Sequence, residues 1–103
     1  MRMAMRSKLF ITLKSPHDLG DLELVRALAK GSRGGLLLLE DAVIFAANAE
    51  LGKELLGVVQ DVYVIKDDWE ARGLPLANPG FKVVDYPEAV DLIMERYEQT
   101  ITV

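Results

Sequence analysis

The run Leu36-Leu37-Leu38-Leu39 limits the folds open to this chain more than any other stretch. Four consecutive leucines lack the apolar-polar alternation of a strand with one wet face. A strand made of them must be covered on both sides, which is the condition of a central strand in a parallel sheet flanked by helices. Gly34-Gly35 supplies a turn into the run. Three other short apolar runs are residues 8–13, 62–65 and 81–84. These predict the first, third and fourth strands.

Helical patterns fill the intervals. Residues 21–30 place Leu22, Val25, Leu28 and Ala29 on one face. Asp21 or Asp18 is available to accept hydrogen bonds at that helix's start, and Gly31 can end it in a left-handed conformation. Residues 42–48 are apolar nearly all round, so this helix lies deep in the core or under a neighbouring subunit. A helical stretch at 53–56 extends it, with an interruption at Gly52. Residues 67–72 form a short helix stopped by Gly73, and residues 74–80, with Pro75, Pro79 and Gly80, form a loop. Pro87 fits the first position of a last helix, where its missing amide costs nothing. On that helix Ala89, Val90, Ile93, Met94 and Tyr97 share one side. Strand and helix alternating four times with short links predict an α/β fold: a three-layer α/β/α sandwich with a small, mainly parallel, four-stranded sheet.

With 103 residues the chain suits a single domain, residues 1–103, in which residues 1–7 are expected to be a poorly ordered extension. A domain this small gains stability from association with another subunit. Twelve basic against sixteen acidic residues give a formal charge of -4. That balance disfavours direct nucleic-acid binding, which needs cations to neutralise phosphates, and adhesion to an anionic membrane. No apolar run approaches the ~20 residues of a membrane helix. The start Met1-Arg2-Met3-Ala4-Met5-Arg6 lacks the apolar stretch of a secretion signal, and the expected location is cytoplasmic. There is no cysteine and one histidine. Disulfides, thiolate metal sites and thiol nucleophiles are therefore excluded, and no metal or other cofactor is expected.

In a parallel sheet, ligands gather beyond the carboxyl ends of the strands. Four clusters fall there: Lys14-Ser15-Pro16-His17, Glu40-Asp41, Lys66-Asp67-Asp68 and Asp85-Tyr86. From these, Lys14, Ser15, Glu40, Asp41, Lys66, Asp67 and Asp85 form a candidate pocket at a mostly acidic edge. Each also has a plainer reading. Asp41, Asp67 and Asp85 precede helical segments and suit capping. Ser15-Pro16 suits a turn, the two lysines suit solvated surface charge, and His17 suits an exposed loop. Val43, Ile44, Phe45 and Trp69 are candidate interface residues, with core packing as the competing role for each.

Common catalytic motifs are missing. Gly31-Ser32-Arg33-Gly34-Gly35 precedes a strand and is not followed by Gly-Lys-Ser/Thr, so it is no phosphate loop. The first strand ends in Lys14-Ser15 where a phosphoacceptor receiver domain carries an acidic pair. A rhodanese-like transferase requires a cysteine. An enzyme using the edge carboxylates with His17 as acid and base is the remaining catalytic reading, and no spacing demands it.

Four stretches, in order, resemble the DsrH/TusB family of sulfur-relay proteins. They are Leu13-Lys14-Ser15-Pro16; Leu36-Leu37-Leu38-Leu39-Glu40-Asp41-Ala42-Val43 with Ala46-Ala47; Val62-Tyr63-Val64-Ile65-Lys66-Asp67-Asp68 running into Ala71-Arg72-Gly73-Leu74; and Val83-Val84-Asp85-Tyr86 with Val90-Asp91-Leu92. The run Asp68-x-x-Ala71-Arg72-Gly73-Leu74 and the pair Asp85-Tyr86 are the most specific. The resemblance implies a DsrEFH-like fold and a non-catalytic subunit of a sulfur-relay complex. It implies partners of the DsrE/TusD-like and DsrF/TusC-like kinds, with self-association as the alternative for a stand-alone binding module. Such complexes pass persulfide sulfur toward 2-thiolation of transfer-RNA wobble uridine or in sulfur oxidation. Some family members carry a cysteine in the first helix. Here that stretch is Leu24-Val25-Arg26, so the resemblance implies that the sulfur is carried by a partner's cysteine. The tryptophan that often stands near the family's C-terminus is also missing from Gln99-Thr100-Ile101-Thr102-Val103.

Overall fold

The computed structural model describes residues 6–19 and 22–103. In chain order the elements are β1 (Arg6–Thr12), α1 (Pro16–Leu19), α2 (Leu22–Ala29), β2 (Ser32–Leu38), a 3₁₀ segment (Glu40–Ala47), α3 (Ala49–Leu56) and β3 (Asp61–Ile65). They continue with α4 (Lys66–Ala71), β4 (Lys82–Val84), α5 (Tyr86–Asp91), a π-helical turn (Leu92–Arg96) and β5 (Gln99–Thr102). The sheet has five strands in the order β4-β3-β2-β1-β5, and every pairing is parallel. The expected sheet of four strands thus gains β5. Its residues Gln-Thr-Ile-Thr are too short and polar to register as an apolar run, and only Ile101 is drawn toward the core.

The leucine run behaves as its composition requires. Leu36 and Leu38 point into one layer with Phe10, Val62 and Val64, while Leu37 and Leu39 point into the other with Leu9, Tyr63, Ile65 and Val84. The first layer is closed by α2, the 3₁₀ segment and α3, through Val25, Ala29, Val43, Phe45 and Leu55. The second is closed by α5 and the π turn, through Ala89, Leu92 and Tyr97. Strand order and handedness account for the change of face. Passing from β1 to β4 moves the chain steadily toward one edge, and right-handed crossovers keep those helices on one side. From β4 the chain must return to the opposite edge to add β5, and the same hand requires the other face. The return crosses four inter-strand gaps, about 19 Å at ~4.8 Å each. The six residues of α5 and five of the π turn span about 16 Å at helical rise. A single short helix therefore lies across the second face.

Several local expectations are corrected. The first strand begins at Arg6, two residues before the predicted start, and residues 1–5 lie outside the described residues. Pro16 opens α1 where a simple turn was expected, with Ser15 and Asp18 bonded through Asp18 N–H to Ser15 Oγ at 3.3 Å. Asp18 belongs to α1 and does not start α2, and Asp21 lies outside the described residues. Gly34 and Gly35 belong to β2 itself and form no turn. Their smallness serves packing: a methyl at Gly35 would overlap the Tyr97 hydroxyl and come within 2.7 Å of its Cζ. Gly52 does not interrupt α3. It is buried, and a Cβ there would stand 3.1 Å from Phe81 Cζ. Gly31 and Gly73 do take left-handed conformations, with φ of 77° and 60°, as the ends of α2 and α4 need. In the last helix α5 turns Ala89 inward and Val90 outward, and the π turn that follows brings Leu92 and Tyr97 to the core. Ala89, Leu92 and Tyr97 are buried, whereas Val90 and Met94, expected on the same side, are 56% and 75% exposed.

Candidate functional site

The topology brings the four predicted clusters to the carboxyl edge, because each follows the end of a parallel strand. The side chains there are largely committed to structure. Asp85 caps α5 in a reciprocal box: its carboxylate accepts from the Glu88 N–H at 2.9 Å, and Glu88 Oε1 accepts from the Asp85 N–H at 3.1 Å. Asp41 and Asp67 are not caps. The residues at those cap positions are Leu39 and Ile65, which offer no side-chain acceptor, and the two aspartates sit in the first turn, where negative charge suits the helix dipole. Asp41 pairs with Arg72 at 2.8 Å. Asp68 Oδ2 accepts the Glu40 N–H at 2.7 Å and holds Glu40 in a left-handed backbone, φ 49°, that a non-glycine residue seldom adopts. The Tyr86 hydroxyl stands in the field of this group. The charge of Asp68, with lesser effects of desolvation, Asp67 and Glu40, pushes its pKa above the ordinary tyrosine value.

The edge is therefore one connected patch around Glu40, Asp67, Asp68 and Tyr86, with Asp85 and Asp41 at its sides. Lys14, Lys66 and His17 are exposed, and none forms an ion pair among the described residues. Among the described residues no group of three or more His, Asp or Glu is placed to hold a metal ion. No helix of the described residues is long and apolar enough to cross a membrane.

The candidate interface residues are mostly turned inward. Val43 and Phe45 are 0% and 3% exposed and belong to the chain's own core, because a 3₁₀ segment with three residues per turn drives both under the sheet. Ile44, between them, faces outward. Trp69 is half-buried against the same core, with its indole N–H 3.4 Å from the Pro75 carbonyl, so it ties down the proline loop. The large exposed apolar side chains among the described residues are instead Leu13, Leu24, Ile44, Tyr86, Val90 and Met94.

Sequence reasoning missed a second polar cluster, at the amino end of the sheet on the face of α5. Period-two alternation puts Arg33 and Gly35 of β2, Asp61 and Tyr63 of β3, and Lys82 of β4 on that face. Asp61, with an 11% exposed side chain, accepts from Arg33 Nη2 at 3.0 Å and from Lys82 Nζ at 2.9 Å. Lys82 Nζ also lies 5.6 Å from the centre of the Tyr63 ring. The Tyr63 and Tyr97 hydroxyls are 3.0 Å apart, and their rings meet edge to face at 6.4 Å. No motif in the sequence announces this cluster. Its members are distant along the chain, and only the strand register brings them together.

Burial alone would raise the Asp61 pKa, but hydrogen bonds from Lys82 and Arg33, with their charges, outweigh it and hold the carboxyl below its ordinary 3.8. A carboxyl whose pKa is depressed on folding adds stability above its unfolded value, and that contribution disappears as pH falls through the folded value. The wild-type protein should therefore lose stability below about pH 3.8, with a steeper acid limb than Asp61→Asn. Urea unfolding at a series of pH values measures this, and parallel acid limbs would show that Asp61 has no such role.

Comparisons with known proteins identify the family. Residues 14–99 match the family model described as DsrH like protein. The chain is 36% identical over 92 residues to Protein TusB of Pectobacterium parmentieri, covering 85% of this chain and 94% of that protein. It is 35% identical over 89 residues to Protein TusB of Erwinia tasmaniensis, covering 84% and 92%. The matched region runs from the end of β1 to the start of β5 and includes every crossover, and by that measure this chain belongs to the DsrH/TusB family.

Proposed function

We propose that this protein is a non-catalytic subunit of a sulfur-relay complex serving transfer-RNA thiolation, in which it supports persulfide transfer between cysteines of partner subunits. The observation that carries the reading is the family match over residues 14–99 in a chain with no cysteine. A persulfide must hang on a thiol, so this chain contributes by shape and contact alone. The partners are DsrE/TusD-like and DsrF/TusC-like subunits. Exposed Val90 and Met94 on the outer side of α5 and the π turn, with Tyr86 and Ile44, supply apolar surface for them. The carboxyl edge around Glu40, Asp67 and Asp68 shapes the approach to a partner's thiol without touching sulfur covalently.

Co-expression with the two partner kinds, followed by native mass measurement, tests this. A complex containing all three subunits is expected, with labelled sulfur on a partner's cysteine. Val90→Glu combined with Met94→Glu should reduce co-purification at least tenfold, as burying unpaired carboxylates in an interface requires. The melting temperature of the isolated chain should stay unchanged, since both positions are exposed. A chain recovered alone, or as a homo-oligomer, beside soluble partners overturns the reading.

A further inference from the structure

The cluster at the amino end of the sheet takes no part in the proposed relay, and its chemistry is one-sided. It lines a half-open cavity of about 180 Å³ formed by Arg33, Asp61, Tyr63, Lys82, Arg96 and Tyr97. Three cations face it. Arg33 spends one terminal nitrogen on Asp61, Lys82 one ammonium proton on Asp61, and Arg96 its Nε on Asp91. The rest of each guanidinium and ammonium remains open, and all three side chains are about three-fifths exposed, at 60%, 58% and 66%. The two phenols share one hydrogen bond, so one phenolic proton has no acceptor among the described residues. Burial, then the bond to Tyr63, pushes the Tyr97 pKa far above the ordinary value, and the hydrogen bond to Asp61 raises that of Lys82. Both groups remain donors at neutral pH. Asp61, the one carboxylate in the lining, already holds two cations.

We infer that this cavity binds a tetrahedral oxyanion of the phosphate or sulfate class, held by Arg33, Lys82, Arg96 and one tyrosine hydroxyl. A tetrahedral anion directs its oxygens out of any one plane and so can meet donors arriving from several sides, whereas a carboxylate accepts within one plane, and charge-assisted hydrogen bonds of this kind are the strong ones. The cavity adjoins a groove of about 430 Å³ along β4 and α5, where Val84, Pro87 and Leu92 give an apolar wall beside Glu88 and Asp91. Tyr63, Lys82 and Arg96 line both spaces. The anion is thus either a free ion or the head of an ester whose body lies along that wall.

Amide chemical-shift titration of the whole chain at low ionic strength tests the inference, with sodium sulfate, inorganic phosphate and phenyl phosphate as probes and sodium chloride at matched ionic strength as reference. Saturable shifts are expected at Gly35, Tyr63, Lys82 and Tyr97 with the three oxyanions and not with chloride. Tighter binding of phenyl phosphate than of phosphate would identify an ester as the ligand, and equal binding a free ion. Lys82→Met and, separately, Arg96→Gln should each weaken binding about tenfold, the scale of one charge-assisted hydrogen bond. Both residues are exposed, and a well-dispersed spectrum establishes that each variant is folded. Shifts that rise linearly as with chloride, or that persist at equal affinity in both folded variants, overturn the inference.

Discussion

Replacing Gly35 by alanine is expected to destabilise the domain by about 3 kcal/mol, combining overpacking with a lost hydrogen bond. The added methyl would collide with the Tyr97 hydroxyl, with Cζ at 2.7 Å and Cε1 at 3.1 Å. Gly35 sits within β2, paired to Leu9 on one side and Asp61 on the other, so the backbone cannot retreat without breaking two ladders. Tyr97 must move instead. It stands at the end of the helix that crosses the second face, two residues before β5, and its displacement separates it from Tyr63 and loosens the crossover from β4 to β5. For a domain of this size the loss corresponds to a fall in melting temperature of roughly 12–24 °C. Because Tyr97→Leu removes all three colliding atoms, the double variant Gly35→Ala with Tyr97→Leu should be less destabilised than the sum of the two singles. Additive penalties in thermal or urea unfolding would show that the collision is not the cause.

Leu38→Ala is expected to cost about 2–5 kcal/mol, the range for deleting a buried leucine side chain and leaving a partly collapsed cavity. Leu38 is 0% exposed, paired in register with Thr12 and Val64, and packed in the layer that contains Phe10, Val43 and Phe45. Total stability of small domains is roughly 5–15 kcal/mol, so this single change removes a large share of it. Met94→Ala, at a position 75% exposed, should fall within about 0.5 kcal/mol of wild type in the same chain. Urea unfolding of the pair gives a direct contrast, and equal midpoints would contradict the placement of Leu38 at the centre of the sheet.

The contrast also bears on what was legible beforehand. The leucine run announced a strand covered on both faces because the requirement is local: four apolar neighbours leave no wet side. The helix ends at Gly31 and Gly73 and the cap at Asp85 were legible for the same reason, since each depends on a few adjacent residues, although Tyr86 and not Pro87 takes the first helical position. Val43 and Phe45 were ambiguous, because an all-apolar segment satisfies its composition equally under its own sheet or under another subunit. The 3₁₀ geometry decided for the former and left Ile44 outside. The carboxyl-edge residues were placed by the rule that parallel strands end together. Their hydrogen bonds were not, because the Glu40 N–H and the Asp68 carboxylate that accepts it are 28 residues apart in the chain.

The residues by themselves determined the class of fold, the family and the exclusion of thiol chemistry, since each rests on local pattern, on motifs in order or on the absence of cysteine. Tertiary structure alone decided the fifth strand, the role of Gly35 and the charged cavity at the amino end. Arg33, Asp61, Lys82 and Tyr97 lie far apart in the chain, and nothing in their local sequence relates them. Strand register and the face on which the last crossover returns bring them around one cavity, and both are set by long-range packing.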